Sequence, residues 1–274
     1  MATYDIRPLQ LRILEIVKAI DAVCKEHNLR YYLWAGTMLG AVRHGGFIPW
    51  DDDIDIAMLR KDYDLLMRNA SKWLPAQYEV VSYETDKENY PLPFAKLQDA
   101  GTTLIERAHL SYLGGVYIDI FPLDGMCEGK MRQRWHFMKY QWYKKALYFV
   151  HRDPYRHGHG VSSWLPLLCR KVYTMQELQE KLKRLQTEYD YDESALVVDH
   201  DDGLKGVMPK EILGTPTLVE FEGQQFCGVE QAHTYLSKKY GEYMVIPDGE
   251  HQRQHNFHYL DLDLSYRDYK QSAE

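Results

Sequence analysis

Residues 36–56, GTMLGAVRHGGFIPWDDDIDI, constrain this chain more than any other stretch. Four carboxylates, Asp51, Asp52, Asp53 and Asp55, fall within five positions, and Ile54 and Ile56 interleave with the last of them. β-Branched residues at period two predict a strand. On it, Asp51, Asp53 and Asp55 share one face, about 6–7 Å between alternate residues. Ile54 and Ile56 face a core, and Asp52 points away from the row. Clustered like charges raise one another's pKa unless a cation neutralises them. A row of hard oxygens against apolar residues therefore predicts a site for a divalent cation such as Mg2+ rather than a solvated acidic loop. Just upstream, 33–35 reads as a strand end, Gly36-Thr37 as a glycine turn, and 38–43 as a short helix. That arrangement turns free backbone N–H groups toward an anion, so one segment offers both a phosphate cradle and a metal edge.

Other residues extend the candidate site. Gly36 permits close backbone approach, and Thr37, Arg43 and His44 complete the phosphate side; the guanidinium fork of Arg43 suits phosphate oxygens. Lys96 lies on an apolar strand, where its amine either pairs with a phosphate or the Asp cluster, or snorkels to the surface. Asp119 stands alone in the apolar strand 116–121, a costly place for a carboxylate unless a cation or donor meets it. Asp124, just past Pro122, is its rival as a further carboxylate, or a turn residue before Gly125. Two cations would clamp the attacking and leaving oxygens of an in-line displacement, with Asp119 or Asp53 accepting the proton of an incoming hydroxyl.

The run Gly-Thr-x-Leu-Gly-Ala-x-Arg-His-x-Gly-Phe-Ile-Pro-Trp-Asp-Asp-Asp-Ile-Asp-Ile closely resembles the LicD family of phosphocholine transferases, related to the fukutin-type phosphosugar transferases of the nucleotidyltransferase superfamily. The resemblance continues through Ile118-Asp119-Ile120-Phe121-Pro122-Leu123-Asp124 and Tyr240-Gly241-Glu242-Tyr243-Met244, reaching Arg253 and His255. It implies a nucleotidyltransferase-type α/β (α+β) fold, a mixed β-sheet flanked by helices with a helical insertion or subdomain. It implies metal ligation by Asp51, Asp53, Asp55 and Asp119, catalytic roles for Asp53, Asp55 and Asp119, and Mg2+ or Mn2+ as cofactor. It implies substrate contacts from Gly36, Thr37, Arg43, His44 and Lys96, with the tail bringing Arg253 and His255 back to the site. The activity it implies is transfer of phosphocholine from CDP-choline, or a similar CDP donor, to a hydroxyl of a glycan or lipid-linked glycan, as in lipopolysaccharide, teichoic acid or capsule biosynthesis, with CMP leaving. The alternatives are transfer of phosphoethanolamine or a phosphosugar such as ribitol phosphate, and a catalytically silent protein that holds a nucleotide or cation.

The remaining chain predicts a scaffold. Leu9, Ile13, Ile16, Val17 and Ile20 mark an amphipathic helix over 7–27, stopped at Asn28. Strands are expected at 31–34, 78–83 and 115–121, and a strand pair, 94–97 with 102–105, around the Asp99-Ala100-Gly101 turn. A helix is expected at 61–69. Residues 129–152 hold seven Lys or Arg, seven aromatic residues and no acid. They predict a long helix that either presents a solvated basic face, meets an anionic glycan, or lies on a membrane. Helices follow at 161–173 and 174–189, the second with a Thr174–Glu177 capping box, then a hairpin around Glu222-Gly223 and a helix over 230–240 ended by Gly241. The organisation expected is a catalytic core over 1–128, a helical insertion over 129–195, and an α/β segment over 196–274 completing the core. A net charge of −7 argues against nucleic acid as partner. Four scattered cysteines, no apolar leader and no span-length apolar run predict a cytoplasmic protein; peripheral membrane contact at the inner face is the third of the open readings of 129–152.

Overall fold

The computed structural model describes residues 5–106, 113–156, 158–249, 252 and 257–270. Helix α1 (Arg7–His27) has a proline in its first turn and ends at Asn28, whose φ of 54° makes the left-handed turn while its N–H donates to the Cys24 carbonyl. The stripe read from sequence, Leu9, Ile13, Ile16, Val17 and Ile20, is buried to 1% exposure or less. Each such side chain contributes about 1.5–3 kcal/mol when removed from water, so α1 is clamped against strands β4 and β6 named below.

From there the chain runs through β1 (Tyr31–Leu33), α2 (Ala35–His44), β2 (Asp55–Leu59), α3 (Arg60–Trp73), β3 (Tyr78–Val81), β4 (Ala95–Asp99), β5 (Thr103–Ile105) and β6 (Tyr117–Met126). Helices α4 (Lys130–His151), α5 (Trp164–Val172) and α6 (Met175–Gln186) follow. The chain then adds β7 (Leu196–Asp199), β8 (Val207–Pro209), α7 (Lys210–Leu213), β9 (Thr217–Phe221), β10 (Gln224–Gly228), α8 (Ala232–Tyr240) and β11 (Tyr259–Asp261). The class is α/β as expected, a mixed sheet flanked by helices.

Seven strands form the main sheet, in the order β1-β2-β6-β4-β3, with β7 paired to β6 and β8 to β7. β2 and β6 run parallel; the other pairs are antiparallel. β6 is the spine. Its residues Ile118, Ile120 and Leu123 are fully buried, as suits a strand covered on both faces. The strand expected over 115–121 runs on past Pro122 to Met126. The strand continues because Pro122 sits between the pairings of 117–120 with β4 and of 123–126 with β7, where no ladder bond is needed from it.

The expected β4–β5 pair does not form. β4 lies between β3 and β6, and β5 pairs with β11. The Asp99 N–H donates to Val116 O instead, and Gly115 lies so close to Asp99 O that a Cβ there would sit 1.9 Å from it. Long-range closure onto β6 therefore outcompetes the local turn. The β9–β10 hairpin is as read: Glu222 and Gly223 have φ of 53° and 70°, the paired left-handed residues that a two-residue turn needs. Glu222 is held there by Arg7 and by the Phe47 N–H. Among the helices, α6 carries the predicted capping box, with Thr174 and Glu177 exchanging bonds. Helices α4, α5 and α6 share an apolar cluster of their own around Tyr140, Leu147, Cys169, Leu178 and Leu182.

Candidate active site

The carboxylates meet where β2 and β6 begin to pair. Residues 51–54 are not a strand; they form an extended segment before β2, which starts at Asp55. The row expected on one strand face is therefore a corner. Oxygens of Asp51, Asp52 and Asp53 all lie within 4.8 Å of one another. Asp52, read from sequence as pointing away, is part of this group and is 3% exposed, because the segment 51–54, lying outside any strand, does not keep the two-residue alternation. Asp55 sits opposite Asp119 in the parallel register, and Asp119 N–H donates to Ile54 O. Adjacent strands lie about 4.8 Å apart, so the chain presents two carboxylates side by side next to a cluster of three.

This crowding is written in the acidities. Burial pushes the Asp55 carboxyl well up, and the charges of Asp53, Asp119 and Asp51 push it further, against the pull of Lys239. Asp119 is pushed up to about 7 by burial, with Lys96 opposing and Asp53 and Glu106 reinforcing. Its Oδ1 is buried and accepts no hydrogen bond among the described residues, with the Lys96 amine 3.5 Å away. Carboxylates desolvated together in this way favour protonation or a cation. Oxygen-only donors with a buried, under-satisfied carboxylate fit a hard divalent ion.

Thr37 builds the site rather than facing outward. It is buried, and its hydroxyl accepts the Asp55 N–H at 2.8 Å, fixing the first residue of β2. Gly36 is not a turn between strand and helix, as read from sequence, but lies in the first turn of α2. A Cβ there would meet Asp51 Oδ2 at 3.0 Å, so the glycine lets the acidic corner close on the helix start. Ala35 precedes it with φ of 44° and donates its N–H to the Tyr235 hydroxyl. A non-glycine residue held in that region stores strain and needs support.

Arg43 donates to the Tyr243 carbonyl and to His44 Nε2, both at 2.9 Å, with Asp51 as the nearby charge. Burial, then Arg43, lowers the His44 pKa, so its neutral imidazole serves as the acceptor. A cleft of about 520 Å³ beside them is lined by His233, Ser237, Tyr243, Met244 and Val245, within the range that holds small ligands. Lys96 points inward and is 3% exposed. Its amine bonds Glu106 at 2.8 Å and lies over the Tyr117 ring, so it is committed to balancing Asp119 and Glu106. Asp124 lies elsewhere: buried, it takes both arms of Arg60 at 2.7 and 2.8 Å. Arg253 and His255 lie outside the described residues.

Sequence reasoning missed the opposite wall. Lys239 and Tyr240, at the end of α8, feel the acidic group: Lys239 pulls the Asp55 pKa down, and the Tyr240 phenol is raised by burial, then by Asp55 and Asp202. Lys239 is ion-paired with Asp202 and faces the Trp34 ring. The Trp34 indole donates to Asp199 at 2.8 Å. Tyr240 opens the family-like stretch 240–244, but no local signal marks Lys239. A lysine in a last helical turn reads as a complement to the helix dipole, and only the long-range packing of α8 brings it here.

Comparison with known proteins gives the setting. The family described as "LicD/FKTN/FKRP, nucleotidyltransferase domain" matches residues 28–166, which include Asp51, Asp52, Asp53, Asp55 and Asp119. The chain is 29% identical over 264 residues to the lipopolysaccharide cholinephosphotransferase LicD of Haemophilus influenzae, covering 93% of this chain and 97% of that protein. Over 56 residues it is 41% identical to the human ribitol 5-phosphate transferase FKRP, covering 20% of this chain and 11% of that protein. An uncharacterized protein of Rickettsia prowazekii is 36% identical over 74 residues, 27% of each chain.

Proposed function

We infer the activity from one premise: this chain belongs to the LicD/FKTN/FKRP family through its nucleotidyltransferase domain. It is a phosphotransferase. We propose that it transfers phosphocholine from CDP-choline to a hydroxyl of a cell-surface glycan or its lipid-linked precursor. The acceptor oxygen bonds to the phosphorus that carries choline, the bond from that phosphorus to the bridging oxygen breaks, and CMP leaves. The near end-to-end match to a lipopolysaccharide cholinephosphotransferase supports the head group and acceptor class. The observation that carries the chemistry is the pairing of Asp55 with Asp119 beside the group Asp51, Asp52 and Asp53.

In this reading Asp51, Asp53, Asp55 and Asp119 hold Mg2+ or Mn2+, and bound metal supplies charge neutralisation at the transferring phosphoryl group. Asp119 or Asp53 takes the acceptor's proton. Gly36 and the α2 start receive the phosphates, Arg43 and His44 flank them, and Arg253 and His255 add substrate contacts. The cytidine donor suits the cytoplasmic side of the membrane. Residues 1–128 and 196–274 act as the catalytic unit and 129–195 as a helical insertion, a division supported by the separate apolar cluster of α4–α6.

The test is a donor screen by thermal shift with and without Mg2+, using CDP-choline, CDP-ethanolamine, CDP-ribitol and CMP. Ligands that bind the native state raise the melting point. The reading predicts the largest Mg2+-dependent rise with CDP-choline, lost in Asp53→Ala. A larger rise with CDP-ribitol would replace the head group; no rise with any cytidine nucleotide would contradict the reading.

A further inference from the structure

Helix α4 carries a second functional surface, away from the carboxylates. One side of α4 is ordinary: His136, Phe137, Tyr140 and Leu147 are buried. On the outer side, Met131, Trp135, Met138 and Trp142 are 66%, 58%, 54% and 56% exposed. Their spacing of four, three and four places them in a single stripe along three turns. Arg134 and Lys145 border that stripe on one side, and Arg132 and Lys139 on the other, by the 100° step of the helix. None of these four cations forms an ion pair among the described residues. Helix α5, anchored to the end of α4 by Arg170 bonds to the Val150 and Arg152 carbonyls, exposes Trp164, Leu165, Leu168 and Val172.

Soluble proteins rarely expose large apolar side chains in such contiguous groups without a partner. Two features select the partner's chemistry. The first is charge: residues 129–173 contain ten Lys or Arg and one Asp, a net of +9, in a chain whose net charge is −7. The rest of the molecule therefore carries a net charge of −16, and this segment is its basic region. The second is the pattern: tryptophan and methionine along the centre, with long cationic side chains at the borders, matches the boundary between lipid headgroups and acyl chains, where Trp settles and Lys and Arg reach outward. No helix among the described residues is long and apolar enough to cross a membrane, so contact by this face is lateral.

We propose that the outer face of α4, continued by α5, docks on an anionic lipid bilayer. The inner flank of the same helix touches the turn that adjoins the catalytic wall: Lys144 pairs with Asp201, and the neighbouring Asp202 holds Lys239. The docked helix is thereby tied to the wall of the carboxylate site through a single turn. The surface itself is argued independently of the donor or the reaction.

The test is co-sedimentation of the full chain with phosphatidylcholine vesicles and with phosphatidylglycerol-containing vesicles at low and high salt. The expected result is binding to the anionic vesicles, weakened by salt and absent on pure phosphatidylcholine. Lys139→Gln with Lys145→Gln should weaken binding roughly twentyfold, about fivefold per cation, and Trp135→Ser with Trp142→Ser should abolish it. Both pairs are exposed, so far-UV circular dichroism and melting point should stay unchanged. Absence of binding to anionic vesicles overturns the proposal, as does binding that survives both pairs of substitutions. A dimer in sedimentation velocity that Trp135→Ser with Trp142→Ser dissociates, without vesicle binding, overturns it in favour of a second copy of the chain.

Discussion

Arg60→Met should destabilise the protein without touching its chemistry. Asp124 is 1% exposed and takes two bonds from Arg60 at 2.7 and 2.8 Å, while His200 Nδ1 stands 3.5 Å away. Burial alone would raise the Asp124 pKa, yet Arg60 and His200 bring it below its ordinary value. Removing the guanidinium leaves a buried, uncompensated carboxylate, a change that costs about 3–5 kcal/mol. For a chain of this size that is a fall of roughly 6–20 °C in Tm. The deficit should shrink as pH falls, because the stranded carboxyl can then protonate. Replacing both partners, Arg60→Met with Asp124→Leu, should recover most of the loss, since no charge is left buried. The assay is thermal and urea unfolding of the three proteins, with turnover measured per folded molecule. A loss below about 1 kcal/mol in Arg60→Met, or a double variant no more stable than the single, would refute the buried-pair reasoning. Loss of turnover in a folded double variant would show that Asp124 belongs to the site after all.

Three further outcomes follow from the geometry. Thr37→Val should leave the part-buried Asp55 N–H without its acceptor and cost about 1–3 kcal/mol, whereas Thr37→Ser should fold normally; chemical denaturation separates them. Gly40→Ala should destabilise by roughly 1–3 kcal/mol, because its Cβ would lie 2.5 Å from Gly46 O and 3.3 Å from Ile48 N, both backbone atoms, while Asp51 to Asp55 keep their identity. Without metal, stability should fall as pH rises from about 4 to about 7, because Asp119 and Asp199 bind protons more tightly folded than unfolded and both are pushed up to about 7. Asp199→Asn should remove part of that slope in a pH series of urea titrations, and Asp119→Asn another part; a slope of opposite sign would contradict the assignment.

What the sequence disclosed and what it hid have a common cause. Local physics was legible: the α1 stripe with its Asn28 stop, the Thr174–Glu177 capping box and the Glu222-Gly223 turn each depend on residues within one or two turns of one another. Asp119 was conspicuous because a lone acid in an apolar strand has a price, and its register with Asp55 follows once β2 and β6 pair. Asp52 was misjudged because the regular strand begins only at Asp55, after an irregular stretch over 51–54. The β4–β5 pairing was misjudged because β6, distant in sequence, offers β4 a better ladder. Lys239, Asp199 and the pairing of Asp124 with Arg60 were not legible, since each takes its meaning from a partner more than thirty residues away.

The central claim, metal-dependent transfer of a head-group phosphate from a cytidine diphosphate donor at the Asp55–Asp119 pair, is tested most directly by 31P NMR. CDP-choline, Mg2+ and an acceptor glycan would be incubated with the wild-type chain and with Asp55→Asn and Asp119→Asn. The account predicts loss of the pyrophosphate signals, growth of CMP together with a phosphodiester on the glycan, and neither product from the two folded variants. Free phosphocholine with cytidylated glycan would put the attack on the wrong phosphorus, and full turnover in either variant would contradict the account.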